Sequence, residues 1–170
     1  EGVTVVPNDT TKYMQNVATM KYTYDMISDA YYDGRTICIF RLSDVILCKA
    51  EIENNLNGPA AALPYLNQIR ARAGAPEYGK HNRFPAPSTK ETMNDAILKE
   101  RGYELVFEFQ RRADLIRFGK YEEVVNAHLK KLGIAQPTNV TSSLRYFPYP
   151  LNDAQLNPNL AAENPSRLPK

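Results

Sequence analysis

The pattern of apolar and polar positions becomes helical at Leu42. Apolar residues then recur three and four positions apart, at Leu42, Val45, Ile46, Ala50 and Leu56, with Leu47, Cys48 and Ile52 widening the stripe. This pattern predicts a helix that is buried on most of its circumference. The helix is expected to end at Gly58, which can adopt a left-handed conformation, and Pro59 can open the next helix.

A second helix is predicted to run to about Ala73, with Ala62, Leu66 and Ile69 on one face. Pro64 removes a backbone donor, so this helix either starts late or kinks there. Two helices joined by a short Gly-Pro turn predict an αα-hairpin of the tetratricopeptide kind over residues 41–73, although only one unit is clear.

Further helices are expected over residues 88–132, after a loop rich in Gly and Pro over residues 74–87. Ser88 and Glu91 have the spacing of a capping box, which predicts that a helix starts at Ser88. The helical stripe continues to Phe109 and either runs on or breaks before Gly119. The last amphipathic segment carries Val124, Val125, Leu129 and Leu132, and Gly133 is its predicted stop.

The two ends of the chain lack helical periodicity. Residues 1–40 are predicted to form loops and short strands, with a turn at Asp33-Gly34 and a buried extended run at residues 36–40. Residues 133–170 are rich in Pro and Asn and predict an extended tail that wraps the helices. Its expected apolar anchors are Tyr146, Phe147, Tyr149, Leu156 and Leu160. The predicted fold class is mainly α, with helical hairpins, long irregular loops and a wrapping C-terminal tail.

Composition narrows the possible functions. The 170 residues carry a net charge of +2 without a basic block, so nucleic acid is not expected as a partner. The apolar runs are far shorter than the roughly 20 residues needed to cross a bilayer. The first residues lack signal-peptide features and are interpreted as the interior of a longer sequence. Cys38 and Cys48 are expected to be reduced and buried, with a disulfide as the alternative.

The run ERGYELVFEFQRRADLIRFG, residues 100–119, places many charges in an otherwise apolar segment. Glu100, Glu104 and Glu108 lie four residues apart, and arginines follow at spacings that allow ion pairs. Nearby arginines lower the pKa of a carboxyl group, which is the wrong direction for a general acid. We therefore expect Glu104 and Glu108 to pair with arginines among Arg41, Arg70, Arg101, Arg111 and Arg117.

Other chemistry has little support in the sequence. Motifs for a nucleophile elbow, a zinc protease helix or a phosphate-binding loop do not occur. His81 and His128 have no second ligand at zinc-like spacing, so neither a metal nor a cofactor is expected. Eleven tyrosines suit stacking on sugars or peptides, but half-buried packing is the preferred interpretation for any single one of them.

Three motifs in order resemble the SusD/RagB family of nutrient-binding outer-membrane lipoproteins of Bacteroidetes. They are RLSDVILCKAEIENNLNG with AALPYLNQIRARAG, then AILKERGYELVFEFQRRADLIRFG, then YFPYPLNDAQLNPNLAAENP. The charged positions that match the family motifs are Arg41, Glu51, Arg70, Arg72, Glu100, Arg101, Glu104, Glu108, Arg111, Asp114 and Arg117. Asp44, Gly102, Phe109 and Phe118 depart from the usual residues. The match corresponds to the C-terminal part of a family member.

The resemblance implies a tetratricopeptide-like helical layer whose motifs identify the family but not the ligand. It also implies a lipid-anchored protein at the cell surface that binds oligosaccharides or peptides for import by a TonB-dependent outer-membrane transporter. Membrane attachment would come only from a lipid anchor upstream of these residues. No catalytic residue is implied.

Two other functions stay open on the sequence. One is a tetratricopeptide-type scaffold that docks a partner protein, and the other is a helical glycan-active enzyme that uses Glu104 or Glu108. For ligand capture, the densest aromatic and polar cluster is at Tyr22, Tyr24, Tyr31 and Tyr32, beside Asp25 and Asp33. The alternative for these tyrosines is packing against the rest of a longer protein.

Overall fold

The computed structural model describes residues 38–132 and 140–163, and most of them are helical. The elements are α1 (Leu42–Asn57), α2 (Pro59–Arg72), α3 (Lys90–Glu104), α4 (Arg111–Arg117), α5 (Tyr121–Lys131), a 3-10 turn (Ser142–Arg145), α6 (Leu151–Leu156) and α7 (Pro158–Glu163). Within these ranges there is no strand, only one isolated bridge between His81 and Phe84. The mainly α prediction is confirmed.

The helices α1 and α2 form the predicted hairpin. Gly58 lies between them with φ 88°, and Pro59 opens α2, as expected from the Gly-Pro turn. The helix α2 runs through Pro64, so it does not start late. Pro64 is exposed, which lets water satisfy the carbonyl that its missing N–H leaves unpaired.

The apolar core lies where α3 packs across this hairpin. Its largest fully buried side chains include Leu47 of α1, Leu66 and Ile69 of α2, and Met93 and Ile97 of α3. Within the same interface, Asn54 of α1 donates hydrogen bonds of 2.8 Å to the Lys90 carbonyl and the Asn94 side chain of α3. The core therefore joins three helices, and a buried amide fixes their register.

The prediction that α1 is buried around most of its circumference is wrong. Leu47 and Ala50 are fully buried, but Leu42, Val45, Ile52 and Leu56 are exposed by 55–73%. The neighbouring Ile39 and Phe40 are also exposed, so the expected buried run is wrong for them as well. One side of α1 packs on α2 and α3, and its other apolar side has no cover among the described residues.

The start of α3 differs by one residue from the sequence prediction. Thr89, not Ser88, is the N-cap residue, and Thr92 replaces Glu91 in the capping box. The Thr89 hydroxyl accepts from the Thr92 amide at 3.2 Å, and the Thr92 hydroxyl accepts from the Thr89 amide at 3.0 Å. Because Thr89 is extended and its hydroxyl accepts from the amide three residues later, the helix begins one residue later than expected.

The charged run breaks into two helices. The helix α3 ends at Glu104, a turn follows, and α4 ends before Gly119, which has φ 67°. In the turn, Phe107 and Phe109 have φ of 61° and 62°, a left-handed conformation that L side chains rarely adopt. The helix α5 is only partly buried along its length.

The predicted extended tail is wrong for residues 140–163, because they contain a 3-10 turn and the short helices α6 and α7. Three of its expected apolar anchors, Tyr146, Phe147 and Leu156, are exposed by more than half. Arginine contacts hold the tail, and one of them places the Arg112 guanidinium 4.5 Å from the centroid of the Phe147 ring. Arg112 of α4 donates to the Arg145 carbonyl at 2.8 Å, and Arg145 pairs with Glu122 of α5 at 2.6 Å.

Some of the sequence predictions concern residues outside the described ranges, and the prediction for the cysteines is met only in part. Tyr22, Tyr24, Tyr31 and Tyr32, the Asp33-Gly34 turn and the Gly133 stop lie outside the described residues. Cys38 and Cys48 are free thiols, as expected, but both are only half-buried. Among the described helices, none combines the length and the apolar character that a membrane crossing requires.

Candidate functional site

The charged run forms an arginine–carboxylate network at the helix interfaces. Its members are Arg41, Asp44, Glu51, Arg70, Arg72, Glu100, Arg101, Glu104, Glu108, Asp114 and Arg117. Most of the carboxylates are nearly buried, which is tolerated because each one lies against a guanidinium.

Arg41 binds two carboxylates, that of Glu104 at the end of α3 and that of Glu108 in the turn that follows. Its Nε lies 2.9 Å from each oxygen of Glu108, and its Nη1 contacts Glu104. The Glu104 and Glu108 side chains are only 7% and 4% exposed. The expected pairing of these two glutamates with an arginine is confirmed, and it anchors the start of α1 to the turn after α3.

Glu104 has a second partner in Arg72, the last residue of α2, whose Nη2 lies 2.6 Å from Oε1. Burial alone would raise the pKa of Glu104, but hydrogen bonds from Arg41 and Arg72 and their positive charges lower it overall. The carboxyl group is therefore ionised at neutral pH and does not suit a general acid.

Arg101 lies at the centre of the helical layer and is 3% exposed. Its Nε is 2.8 Å from Asp114 of α4, and its Nη1 is 2.7 Å from Asp44 of α1. Cys48 lies beside this pair, with its Sγ 3.5 Å from Nη1 of Arg101. Burial raises the pKa of the Cys48 thiol despite the opposing charge of Arg101, so the thiol stays protonated near neutral pH.

Two further arginines complete the network. Arg70 of α2 pairs with Glu100 of α3 at 2.7 Å, with both side chains 5% exposed. Its guanidinium lies 4.7 and 4.5 Å from the ring centroids of Tyr78 and Phe84. Arg117 of α4 contacts Asp114 at 3.0 Å and also pairs with Glu51 of α1.

The sequence places Arg111 among the expected ion-pair partners, but in the structure Arg111 donates a hydrogen bond of 2.7 Å to the Leu98 carbonyl. Its guanidinium lies against Gly102, where an added Cβ would be 2.8 Å from Nη1. The glycine on α3 therefore makes room for this arginine. This contact explains why Gly102 departs from the usual residue of the family motif.

Sequence reasoning did not name Asp44 or Arg72 among the expected ion-pair partners. Both residues lie one helical turn or less from apolar core positions, on helices that were already predicted. The signal in the sequence is that both are ionisable residues on apolar helices, where a buried charge needs a partner. Their partners on other helices could not be assigned without the fold.

The described surface also contains one shallow groove of about 420 Å³ between α2 and the loop that follows it. Its lining includes Leu63, Pro64, Gln68, Glu77 and Lys80. Glu77 and Lys80 pair with one another at 2.7 Å. Within residues 38–132 and 140–163, no cluster of three or more His, Cys, Asp or Glu side chains is arranged to hold a metal ion.

The chain is similar to known proteins of one family. The sequence model of the SusD family matches residues 4–166. SusD-like protein P25 of Formosa agariphila is 39% identical over 120 residues, which is 71% of this chain and 22% of that protein. Starch-binding protein SusD of Bacteroides thetaiotaomicron is 28% identical over 79% of this chain and 22% of its own length.

A solved structure agrees with these sequence matches. A SusD superfamily protein from Bacteroides vulgatus superposes with a TM-score of 0.55 and 28% identity, covering 71% of this chain and 25% of that one. The chain spans only about a fifth to a quarter of the length of the curated relatives that it matches. Because the family match covers nearly the whole sequence, the chain belongs to the SusD family.

Proposed function

We propose that the protein to which this chain belongs captures nutrient oligosaccharides without cleaving them. The observation that carries the proposal is family membership together with a relative that is named a starch-binding protein. The described residues would supply the helical layer that holds the ligand-binding loops in place. Affinity for an oligosaccharide depends on a preorganised surface, which a rigid helical layer provides.

A role in binding rather than catalysis is supported by the arginine–carboxylate network. Glycoside hydrolysis needs one carboxyl group with a raised pKa and a second across a cleft. Glu104 has a lowered pKa, and both Glu104 and Glu108 lie against Arg41. We therefore propose no catalytic residue, cofactor or metal for this function.

The proposed cellular setting follows from the family. We place the full-length protein at the outer surface of the outer membrane, held by a lipid anchor upstream of these residues. Its proposed partner is a TonB-dependent transporter that imports the captured ligand. Peptides are the alternative ligand class.

Ligand contact is proposed for Tyr22, Tyr24, Tyr31 and Tyr32. Tyrosine rings combine an apolar face with a hydroxyl group, so they can stack on a sugar ring and hydrogen-bond to it. The four residues lie upstream of Arg41, and they form the densest group of aromatic residues next to acidic ones in the sequence.

Isothermal titration calorimetry of the full-length protein against panels of oligosaccharides and peptides tests this function. We expect binding to at least one oligosaccharide and a loss of affinity in Tyr31→Ala and Tyr32→Ala. Tyr103→Ala is the matched control, because Tyr103 is a 62% exposed tyrosine on the helical layer. It should bind like the parent protein.

Other outcomes would decide against the proposal. Binding of peptides alone would replace the ligand class, and release of products from a glycan panel would replace binding with catalysis. Normal affinity in both tyrosine variants would remove residues 22–32 from the site. Binding of neither ligand class, with capture of a partner protein, would favour the scaffold function.

A further inference from the structure

The loop after α2 contains a tight turn whose exposed side chains are mainly basic. Gly79 donates to the Phe84 carbonyl at 2.7 Å, and the Phe84 amide donates to the His81 carbonyl at 2.9 Å, which closes the chain into a turn. The exposed residues at its tip are Lys80, His81, Asn82 and Arg83. We call residues 80–83 the basic turn.

The basic turn is held in place by two buried side chains of α2. The Asn67 amide donates to the Tyr78 carbonyl at 2.9 Å and accepts from the Tyr78 amide at 2.8 Å. Arg70 donates to the Pro76 carbonyl at 2.6 Å, and its guanidinium lies against the rings of Tyr78 and Phe84. Because the loop is already ordered, a ligand that binds its tip pays little entropy to fix it.

Two side chains of the basic turn offer hydrogen-bond donors. Nδ1 of His81 accepts a hydrogen bond of 3.1 Å from the Arg83 amide, so the neutral imidazole carries its proton on Nε2. Arg83 adds an exposed guanidinium. Within residues 38–132 and 140–163, the one carboxylate that pairs with the turn is Glu77, at 2.7 Å from Nζ of Lys80. The turn therefore keeps a net positive charge.

The basic turn borders the shallow groove of about 420 Å³ beside α2. Lys80 belongs to both, and the lining of the groove includes the apolar residues Leu63, Pro64 and Ala71. An apolar lining beside a few fixed polar groups is typical of small-ligand sites, whose volumes are roughly 300–1,000 Å³. The groove and the turn together form a concave surface with positive charge at one edge.

We propose that the groove and the basic turn bind an acidic oligosaccharide, with Arg83 and His81 on its carboxylate or sulfate group. This inference rests on the proposed function and goes beyond it by naming a binding surface and a class of sugar. A guanidinium can donate two parallel hydrogen bonds to the oxygens of either group, and such charge-assisted bonds are strong. Charge complementarity therefore favours an acidic sugar over a neutral one at this surface.

Calorimetry of the full-length protein tests the proposal with three oligomers of equal length: one of galacturonic acid, one of sulfated galactose and one of neutral galactose. We expect at least one acidic oligomer to bind more tightly than the neutral one, and the tighter of the two acidic oligomers identifies the group. Arg83→Gln should weaken this binding about tenfold, and Arg83→Lys, which keeps the charge, should weaken it less. The matched control is Lys131→Gln, which removes one positive charge from an exposed position on α5 and should bind like the parent protein.

Thermal unfolding of the ligand-free protein distinguishes a ligand from a partner within the polypeptide. Arg83→Gln should leave the melting temperature unchanged, because an exposed charge contributes little to stability. A fall of several degrees would assign Arg83 to a carboxylate elsewhere in the same polypeptide, residues 1–37 included. That result would overturn the proposal.

The remaining outcomes separate this inference from the proposed function. If neither acidic oligomer binds while a neutral oligosaccharide does, the inference is wrong and the proposed function stands. The same holds if Arg83→Gln and Lys131→Gln bind the acidic oligomers equally well. If only an acidic peptide binds, or if no oligosaccharide binds at all, both are wrong.

Discussion

Arg41 neutralises the two carboxylates at the end of α3 and in the turn that follows it. It precedes α1 and contacts Glu104 and Glu108, two carboxylates that are nearly buried. A buried carboxylate that loses its arginine, or an arginine that loses its carboxylate, leaves a desolvated charge. Loss of either member of the pair is therefore expected to destabilise the protein strongly.

Replacing Glu104 with alanine should lower the free energy of unfolding by about 3 kcal/mol, because two guanidinium groups lose a nearly buried partner. Urea denaturation of parent and variant measures this difference. The control is Glu123→Ala, which removes a 70% exposed glutamate that pairs with Lys120. That change should cost about 0.5 kcal/mol or less. Equal stability of Glu104→Ala and the parent protein would refute the structural role of the pair.

Phe109 has a left-handed backbone conformation that is unfavourable for a residue with a Cβ atom. It has φ 62° and is 88% exposed, so the ring gains little packing in return for the strain. A left-handed conformation costs an L residue about 1–2 kcal/mol. Glycine avoids this cost, but it loses more conformational entropy on folding, which offsets part of the stabilisation.

We therefore expect Phe109→Gly to raise the free energy of unfolding by about 0.5–1 kcal/mol. Phe109→Ala is the control, since it removes the ring but keeps the Cβ atom that makes the conformation unfavourable. Denaturant unfolding of both variants separates the two effects. If the glycine variant is no more stable than the alanine variant, the strain at this turn is not what limits stability.

At the scale of elements, α3 is fixed at its two ends by different means. Its first turn is held by the Thr89–Thr92 capping box and its last turn by the ion pairs of Glu100, Arg101 and Glu104. The capping box acts locally, whereas the ion pairs tie α3 to three other helices.

Thr89→Ala should destabilise the protein by about 1 kcal/mol, because the Thr92 amide in the first turn of α3 loses the hydroxyl to which it donates. Ser88→Ala tests the cap that the sequence predicted and should have little effect. Thermal or urea unfolding of the two variants decides between the positions. A larger loss for Ser88→Ala than for Thr89→Ala would contradict the observed start of the helix.

At the scale of the whole molecule, the network joins helices that are distant in sequence. Arg70 ties α2 to α3, Arg101 ties α3 to α1 and α4, and Arg117 ties α4 to α1. The tail is joined to the same body through Arg112 and Arg145, and the Arg112 guanidinium also lies 4.5 Å from the centroid of the Phe147 ring. Protonation of the carboxylates should therefore affect the stability of the whole helical layer.

Stability is expected to fall as the pH drops below the ordinary carboxyl range. The pKa of Glu104 is lower in the folded state than its usual value of 4.5. Its contribution to stability is therefore present above that value, and it is lost as the pH falls through the lower folded-state pKa. Unfolding curves between pH 7 and pH 3 should show a smaller decline in Glu104→Gln than in the parent protein. An identical decline in both would contradict a role for Glu104 in acid sensitivity.

The sequence by itself determined the parts of this protein that depend on local rules. Helical periodicity and the Gly58-Pro59 turn predicted the α1–α2 hairpin, because backbone conformation and apolar spacing act over a few residues. The charges in the apolar helices predicted that Glu104 and Glu108 pair with arginines. This prediction needs no knowledge of the fold, because a buried charge requires a partner of opposite charge in any fold. The order of the motifs was enough to indicate the family.

Only the tertiary structure decided which partner and which face each residue uses. Arg72 and Asp44 became part of the network because the folding of the hairpin against α3 brings them to Glu104 and Arg101. The stripe on α1 predicted burial correctly for Leu47, but it could not show that Ile52 faces away from α2 and α3. The hydrophobic effect favours burial of an apolar side chain but has no direction, so it does not specify which residues bury it. Those neighbours are determined by contacts between residues far apart in the chain.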